Sequence, residues 1–103
     1  MNLPDHALFV ADHDGKVIGV ASVSIRSVVR YVQPIAELDE LFVDPQDRSH
    51  GAGRGLMEAV EAFGRAQGCY RIYIESAWPY KEGHEFYEHL GYTKNGYHFK
   101  KDL

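Results

Sequence analysis

Cysteine is almost missing from this 103-residue chain. Cys69 stands alone, so no internal disulfide can staple the fold, and neither a paired metal-thiolate spacing nor a Cys-x-x-Cys redox motif can form. A reducing, cytoplasmic location is expected. No stretch approaches the ~20 apolar residues a membrane span needs, and Met1 to His6 carries no basic segment followed by an apolar run. Neither membrane insertion nor export is expected. Positive charge is in deficit, 11 Lys and Arg against 15 Asp and Glu for a net −4. That balance argues against a general nucleic-acid or anionic-membrane surface and is compatible with a cationic small substrate. The length leaves no room for a second core, so residues 1–103 are expected to form one domain. Internal repeats and low-complexity segments are absent, and 45% hydrophobic with 25% charged residues is the balance of a chain that folds.

What is present reads as alternating elements. Ala7 to Ala11 is a short apolar run, Asp14-Gly15 supplies a tight turn, and Val17 to Ile25 resumes with β-branched residues, predicting an antiparallel hairpin. The chain turns around Tyr31 to Pro34. Ala36 to Val43 is a third strand that stops before Asp44-Pro45, since proline removes a ladder donor. Inside it the two-residue phase breaks: Leu41 and Val43 share one phase, Leu38 and Phe42 the other, with Asp39-Glu40 wedged between. This predicts a strand buried on both faces, with a β-bulge at the carboxylates. From Gly53 to Gln67 the period lengthens, with Leu56, Ala59, Val60, Phe63 and Ala66 three or four apart, an amphipathic helix closed by Gly68. Tyr70 to Ile74 is a further strand. Pro79 opens a shorter helix in which Phe86 and Leu90 lie one turn apart before Gly91. Asn95-Gly96 separates Tyr92 to Lys94 from Tyr97 to Phe99 as a closing hairpin. The order β-β-β-α-β-α-β(-β), with a central β-α-β crossover and two helices, predicts an α/β or α+β domain on a mixed sheet.

The most informative segment is Arg48-Ser49-His50-Gly51-Ala52-Gly53-Arg54-Gly55, where the third strand hands over to the long helix. A helix N-terminus offers unpaired N–H groups and about half a positive charge, and glycine lets an anion approach that backbone. Arg48 and Arg54 can add charge-assisted hydrogen bonds. A tight strand-to-helix turn explains the glycines alone; with two arginines in an acidic chain, a phosphate-bearing ligand explains more. No lysine follows the glycines as in G-x-x-x-x-G-K-S/T, and G-x-G-x-x-G begun at Gly51 fails at Leu56, so both nucleotide patterns are weakened.

Arg48-Ser49-His50-Gly51-Ala52-Gly53 resembles motif A of the GNAT-type N-acetyltransferases, R/Q-x-x-G-x-G/A. The resemblance extends to Leu41-Phe42-Val43-Asp44-Pro45, to Leu56-Met57, and to Phe86-Tyr87-Glu88-His89-Leu90-Gly91-Tyr92, which is similar to that family's F-Y-x-x-L-G-F/Y segment. It spans roughly Leu8 to Phe99 and implies acetyl-CoA, or a related acyl-CoA, as cosubstrate in direct transfer to a primary amine of a small molecule or peptide. By that resemblance the cofactor-binding residues are Arg48, Ser49, His50, Gly51, Ala52, Gly53 and Arg54 at the pyrophosphate, with Leu41, Phe42 and Val43 alongside the pantetheine arm. It further implies an oxyanion donor among the amides of Leu41 to Val43 and places Tyr87 as the acid for the departing thiolate. Packing in the core is the alternative for Tyr87, as for Phe86 beside it.

The base is harder to name. Glu37, Asp39, Glu40 and Glu75 are all placed to take a proton through water, or to be solvated strand ends, and Glu40 is selected because it directly precedes the thioester-binding stretch. Cys69, between a helix-ending glycine and a strand, is read as a structural thiol rather than a nucleophile. His84 and His89, five apart, do not share a helix face, and no metal is expected. Trp78 and Tyr80 either line an acceptor pocket or pack around Pro79. Tyr80 occupies a position that is often asparagine in the family. Members of the family usually carry a strand and two helices ahead of the first hairpin; here only a few residues precede Ala7, so an uncovered sheet face and a homodimer are expected. A different class of explanation is a catalytically inactive acyl-CoA-binding or regulatory module, and a nucleotide-binding regulator is a third.

Overall fold

The computed structural model describes residues 5–27, 32–74, 81–94 and 101–103. Strand β1 (His6–His13) pairs antiparallel with β2 (Lys16–Arg26), β2 pairs antiparallel with β3 (Ile35–Val43), and β3 pairs parallel with β4 (Ile72–Ile74). The sheet order is β1-β2-β3-β4. Helix α1 (Ala52–Ala66) makes the crossover from β3 to β4, and α2 (Lys81–His89) follows. This is the mixed-sheet α+β architecture expected from the sequence. The hairpin turns where Asp14-Gly15 predicts it: both residues have positive φ, 52° and 80°, the conformation that matches the twist of the flanking strands. Asp12 Oδ1 accepts the Gly15 N–H at 2.9 Å and holds the turn.

Several boundaries differ from expectation. Strand β3 starts one residue earlier, at Ile35, and α1 begins at Ala52 and ends at Ala66. Strand β4 is only three residues long, Ile72–Ile74, although the Tyr70 N–H still reaches the Pro34 carbonyl at 3.3 Å. A six-residue 3-10 helix, Pro45–His50, replaces what reads in sequence as a simple loop. The Asn95-Gly96 hairpin, and Tyr31, Glu75, Trp78, Pro79 and Tyr80, lie outside the described residues.

The phase break in β3 is resolved by one extra residue. Ser22 pairs with Glu40 but Val23 pairs with Leu38, so Asp39 has no partner across the ladder. Side chains alternate strictly along a regular strand, and one inserted residue flips the phase. Leu38 is therefore buried, and Leu41 and Val43 pack on the same core. The expectation of a strand buried on both faces is corrected here: Phe42 stands on the other face and is 56% exposed. Among the described residues, the helices cover one side of the sheet. On the open side Val10, Val20 and Phe42 form one cross-strand row.

The covered face carries Ala21, Val23, Ala36 and Leu38 against Leu56, Met57 and Val60 of α1. Helix α1 turns Gly53, Leu56, Met57, Val60 and Gly64 inward. Met57 and Gly64 belong to the stripe, and the expected Ala66 does not, because the face is rotated toward the small residues that let α1 approach the strands. Both helices end as their glycines predict. Gly68 and Gly91 have φ of 82° and 95°. Cys69 N–H to Gly64 O and Gly68 N–H to Arg65 O, both 3.0 Å, close α1; Tyr92 N–H to Tyr87 O and Gly91 N–H to Glu88 O, also 3.0 Å, close α2. This paired bonding satisfies the last carbonyls of each helix.

Gly53 is where α2 seats on α1. A Cβ there would lie 3.1 Å from Phe86 Cζ, whereas one at Gly55 would meet nothing within 4 Å. Gly53→Val should therefore lose about 1–3 kcal/mol through overpacking, while Gly55→Ala should gain about 0.5–1 kcal/mol by removing backbone freedom from the unfolded chain. Urea unfolding of the two variants checks this, and equal effects would contradict the contact.

Candidate functional site at the strand-to-helix junction

The junction is built by its own turn chemistry. Leaving β3, Asp44 donates its N–H to Ile18 O at 2.7 Å, accepts the Gln46 N–H on Oδ1 at 3.0 Å and accepts the Asp47 N–H on its carbonyl at 2.8 Å. Pro45 at the first position suits the 3-10 helix that follows. Gly51, with φ 79° and ψ 6°, ends that turn and starts α1 without any side-chain cap. The Gly55 N–H donates to Gly51 O at 3.0 Å. Ahead of it, the amides of Ala52, Gly53 and Arg54 are first-turn donors without a partner inside α1. A Cβ on Gly51 would touch nothing within 4 Å, so the space beside Gly51 is open. An uncapped N-terminus beside open space is chemically suited to a phosphate.

The flanking residues are placed unequally. Arg54 is exposed at the helix start. Arg48 folds back and donates Nε–H to Val43 O at 3.3 Å, which ties its guanidinium to the end of β3. Ser49 and His50 lie within the 3-10 helix, a turn that uses its own amides in short-range bonds; their side chains are outside the described residues.

Beside the junction, β4 pairs with β3 at Ala36, Glu37 and Leu38, and residues 75–80 lie outside the described residues. Past the bulge, among the described residues, Glu40 to Val43 is paired on its β2 side alone. Alternate amides and carbonyls of that segment point away from β2, along an edge that leads to the α1 N-terminus. A chain carrying amide groups and a terminal phosphate could bind along this edge as a strand does.

Three carboxylates of β3 share the open face and differ in their surroundings. Glu37 Oε2 accepts from Arg26 at 3.0 Å. Asp39 accepts a hydrogen bond from the Ser24 hydroxyl. Glu40 is exposed, and no ion pair or hydrogen bond engages its side chain among the described residues. Of the three, it keeps its charge available to solvent and to an incoming cation.

Tyr87 stands on the covered side. Its ring makes edge-on contacts with Phe86, centroids 5.3 Å apart, and with Tyr92 at 6.1 Å. Burial pushes its phenol above the ordinary value of 10.0, so the proton is retained at neutral pH. Tyr92 donates its O–H to Glu61 Oε2 at 2.6 Å; burial first, and then Glu61, push its pKa up further. That pair joins α1 to the segment after α2 and was missed in the sequence, where Tyr92 reads as the start of a strand. Cys69 is half-buried and its thiol is pushed up by burial, the opposite of an activated nucleophile.

A family model described as the acetyltransferase (GNAT) family matches residues 1–92. Glucosamine 6-phosphate N-acetyltransferase of Trypanosoma brucei brucei is 27% identical over 97 residues, covering 93% of this chain and 64% of that protein. Aminoglycoside N(6')-acetyltransferase type 1 of Salmonella typhimurium is 39% identical over 71 residues, covering 63% of this chain and 48% of that protein. This chain therefore spans between about half and two thirds of the length of these curated relatives. Among solved structures, an aminoglycoside N-acetyltransferase in complex with CoA superposes with a TM-score of 0.84 at 26% identity, over 98% of this chain and 79% of that one. The crystal structure of a Trypanosoma brucei acetyltransferase gives 0.81 at 26% identity, over 96% and 70% respectively.

The Tyr92–Glu61 bond has a pH signature. A phenol whose pKa is raised on folding contributes stability that is complete below the unfolded value of ~10 and is lost as pH rises toward the folded value. Tyr92→Phe should cost about 1.5–2 kcal/mol at pH 7, the range for a hydrogen bond to a charged group, and should flatten the decline above pH 10. Chemical denaturation at pH 7, 10 and 11 measures both.

Proposed function

The chain belongs to the GNAT acetyltransferase family, and on that premise we propose that it is an acetyl-CoA-dependent N-acetyltransferase acting on a primary amine of a small molecule or peptide. One observation carries the proposal: the uncapped α1 N-terminus beyond left-handed Gly51 adjoins an edge of β3 past its bulge that is unpaired among the described residues. The first feature suits a pyrophosphate and the second an amide-bearing arm. Names of relatives that act on glucosamine 6-phosphate and on aminoglycosides support an amine acceptor.

In this reading the amides of Ala52, Gly53 and Arg54 hold the pyrophosphate, assisted by Arg54 and by the end of the 3-10 helix at Ser49 and His50. Arg48 acts chiefly by fixing the end of β3. Bound acetyl-CoA supplies an acetyl thioester. The backbone of Leu41, Phe42 and Val43 orients it, and an N–H of that stretch faces the carbonyl oxygen as it gains charge. The acceptor nitrogen bonds to the acetyl carbon as the carbon–sulfur bond breaks. Tyr87 gives its proton to the departing sulfur, and Glu40 takes the amine proton through water, so charge and protons balance. The negative net charge and the exposed Glu40 favour a cationic acceptor, which sheds one proton to solvent before the neutral amine attacks.

The surroundings of the reaction are part of the same reading. The chain works as one catalytic unit in the cytoplasm without nucleic acid or membrane, and it pairs with a second copy through the open face, where Leu8, Val10 and Phe42 are 68%, 54% and 56% exposed. Val10→Lys should convert the dimer to a monomer, read by sedimentation equilibrium; a wild-type monomer at micromolar concentration would refute the pairing.

Acetyl-CoA consumption over a panel of primary amines tests the reaction. Tyr87→Phe should lower kcat by about 10²-fold and leave the Kd for CoA unchanged, because the phenol holds a proton and no phosphate. With its pKa raised, Tyr87 should cause no fall in kcat on the alkaline side below about pH 10. Gly51→Val, strained at positive φ and filling open space, should weaken CoA binding by at least tenfold while the variant stays folded. Tight CoA binding without turnover of any amine would replace the enzyme by a binding module.

A further inference from the structure

We propose that Ser24 is a positioning residue of the acetyl-transfer site, selecting through its hydroxyl which residue of β3 is the extra one; the proposal rests on the catalytic reading above. Core burial alone leaves that choice open. Leu38 and Leu41 both pack on the covered side, which requires one unpaired residue between them and is satisfied equally by Asp39 or Glu40. With Glu40 extra, Asp39 would pair with Ser22, and the backbone entering Leu41 would be displaced while Leu41 to Val43 kept their partners. The structure takes the first arrangement: Glu40 pairs with Ser22, Ser24 pairs with Glu37, and Asp39 stands out of the ladder.

The Ser24 hydroxyl donates to the Asp39 carboxylate across the two strands. Glu37, directly opposite Ser24, is drawn instead to Arg26 at 3.0 Å, which leaves the hydroxyl for Asp39. Two donors on β2 thus take two of the three carboxylates crowded onto one face and offset their mutual repulsion. What the bond fixes is the position of Glu40 and of the amide leading into Leu41, the proposed base and the first of the thioester-binding amides. The helix end that holds the pyrophosphate lies beyond Val43, outside its reach.

Ser24→Ala should therefore lower kcat about tenfold and leave the Kd for CoA within twofold. Amide hydrogen exchange, resolved by NMR, should accelerate at Asp39, Glu40 and Leu41 and stay unchanged in α1. Ser24→Thr, which keeps the hydroxyl on a residue suited to a strand, should restore both readouts. In a double-mutant cycle, Asp39→Ala added to Ser24→Ala should add little further change in exchange, because the bond is already gone. Unchanged exchange at these three amides in Ser24→Ala overturns the proposal, as does acceleration spread evenly over the sheet or a loss that threonine does not restore. Should the wild-type protein acetylate no amine, the catalytic reading fails on its own and the exchange measurements still decide whether Ser24 sets the bulge.

Discussion

The arrangement of the site depends on a mismatch between a strand's two-residue period and the residues β3 must bury. Leu38, Leu41 and Val43 cannot all face α1 in a regular strand. Turning Leu41 and Val43 to the open side would forfeit about 1.5–3 kcal/mol for each side chain at full burial. Half of that for each of the two, a fair share for residues that are only partly buried, is about 1.5–3 kcal/mol together and still exceeds the ~1 kcal/mol net value of one ladder hydrogen bond. The strand therefore gives up a pair and keeps the packing. Among the described residues β4 pairs with β3 as far as Leu38, and Glu40 to Val43 has no partner on that edge. The bulge that precedes the proposed cofactor edge thus arises from hydrophobic patterning.

The glycines of the junction answer to two different demands. Gly51 is required by backbone conformation, since its positive φ is strained for other residues, and by the open space above it. Gly53 is required by packing, since Phe86 of α2 lies where its side chain would be. A single sequence motif therefore joins a surface that can approach an anion to a contact that seats the second helix. Seating α2 there brings Tyr87 to the covered side of the sheet, so the proposed phosphate-binding end and the proposed acid are mechanically linked through Gly53 and Phe86.

Much of this was legible because local chemistry fixes local shape. Asp14-Gly15 demands the hairpin, Gly68 and Gly91 demand left-handed helix ends, and the phase break at Asp39-Glu40 demands a bulge. All are present. The two-sided burial of β3 was misread from the same pattern, because a phase break and a second apolar face look alike until the pairing register is known. Met57 and Gly64 were missed as core residues since helix periodicity gives a stripe and not its rotation about the axis. Ser24–Asp39 and Tyr92–Glu61 join residues 15 and 31 positions apart; no local rule names such partners.

The sheet also sorts the two proposed proton carriers by environment. One is proposed as the acid and the other as the base, and they stand on opposite faces of the sheet. Tyr87 is packed among aromatic rings on the covered side, where desolvation disfavours the phenolate and keeps the proton in place. Glu40 is exposed on the other face. A strand that buries one face and bares the other produces this separation without further devices, provided the extra residue precedes Glu40. Were Glu40 itself the unpaired residue, its carboxylate would leave the row opposite Ser22 and the amide leading into Leu41 would shift with it. The bulge therefore has to be placed to within a single residue, a precision that apolar burial does not supply and a hydrogen bond between neighbouring strands does.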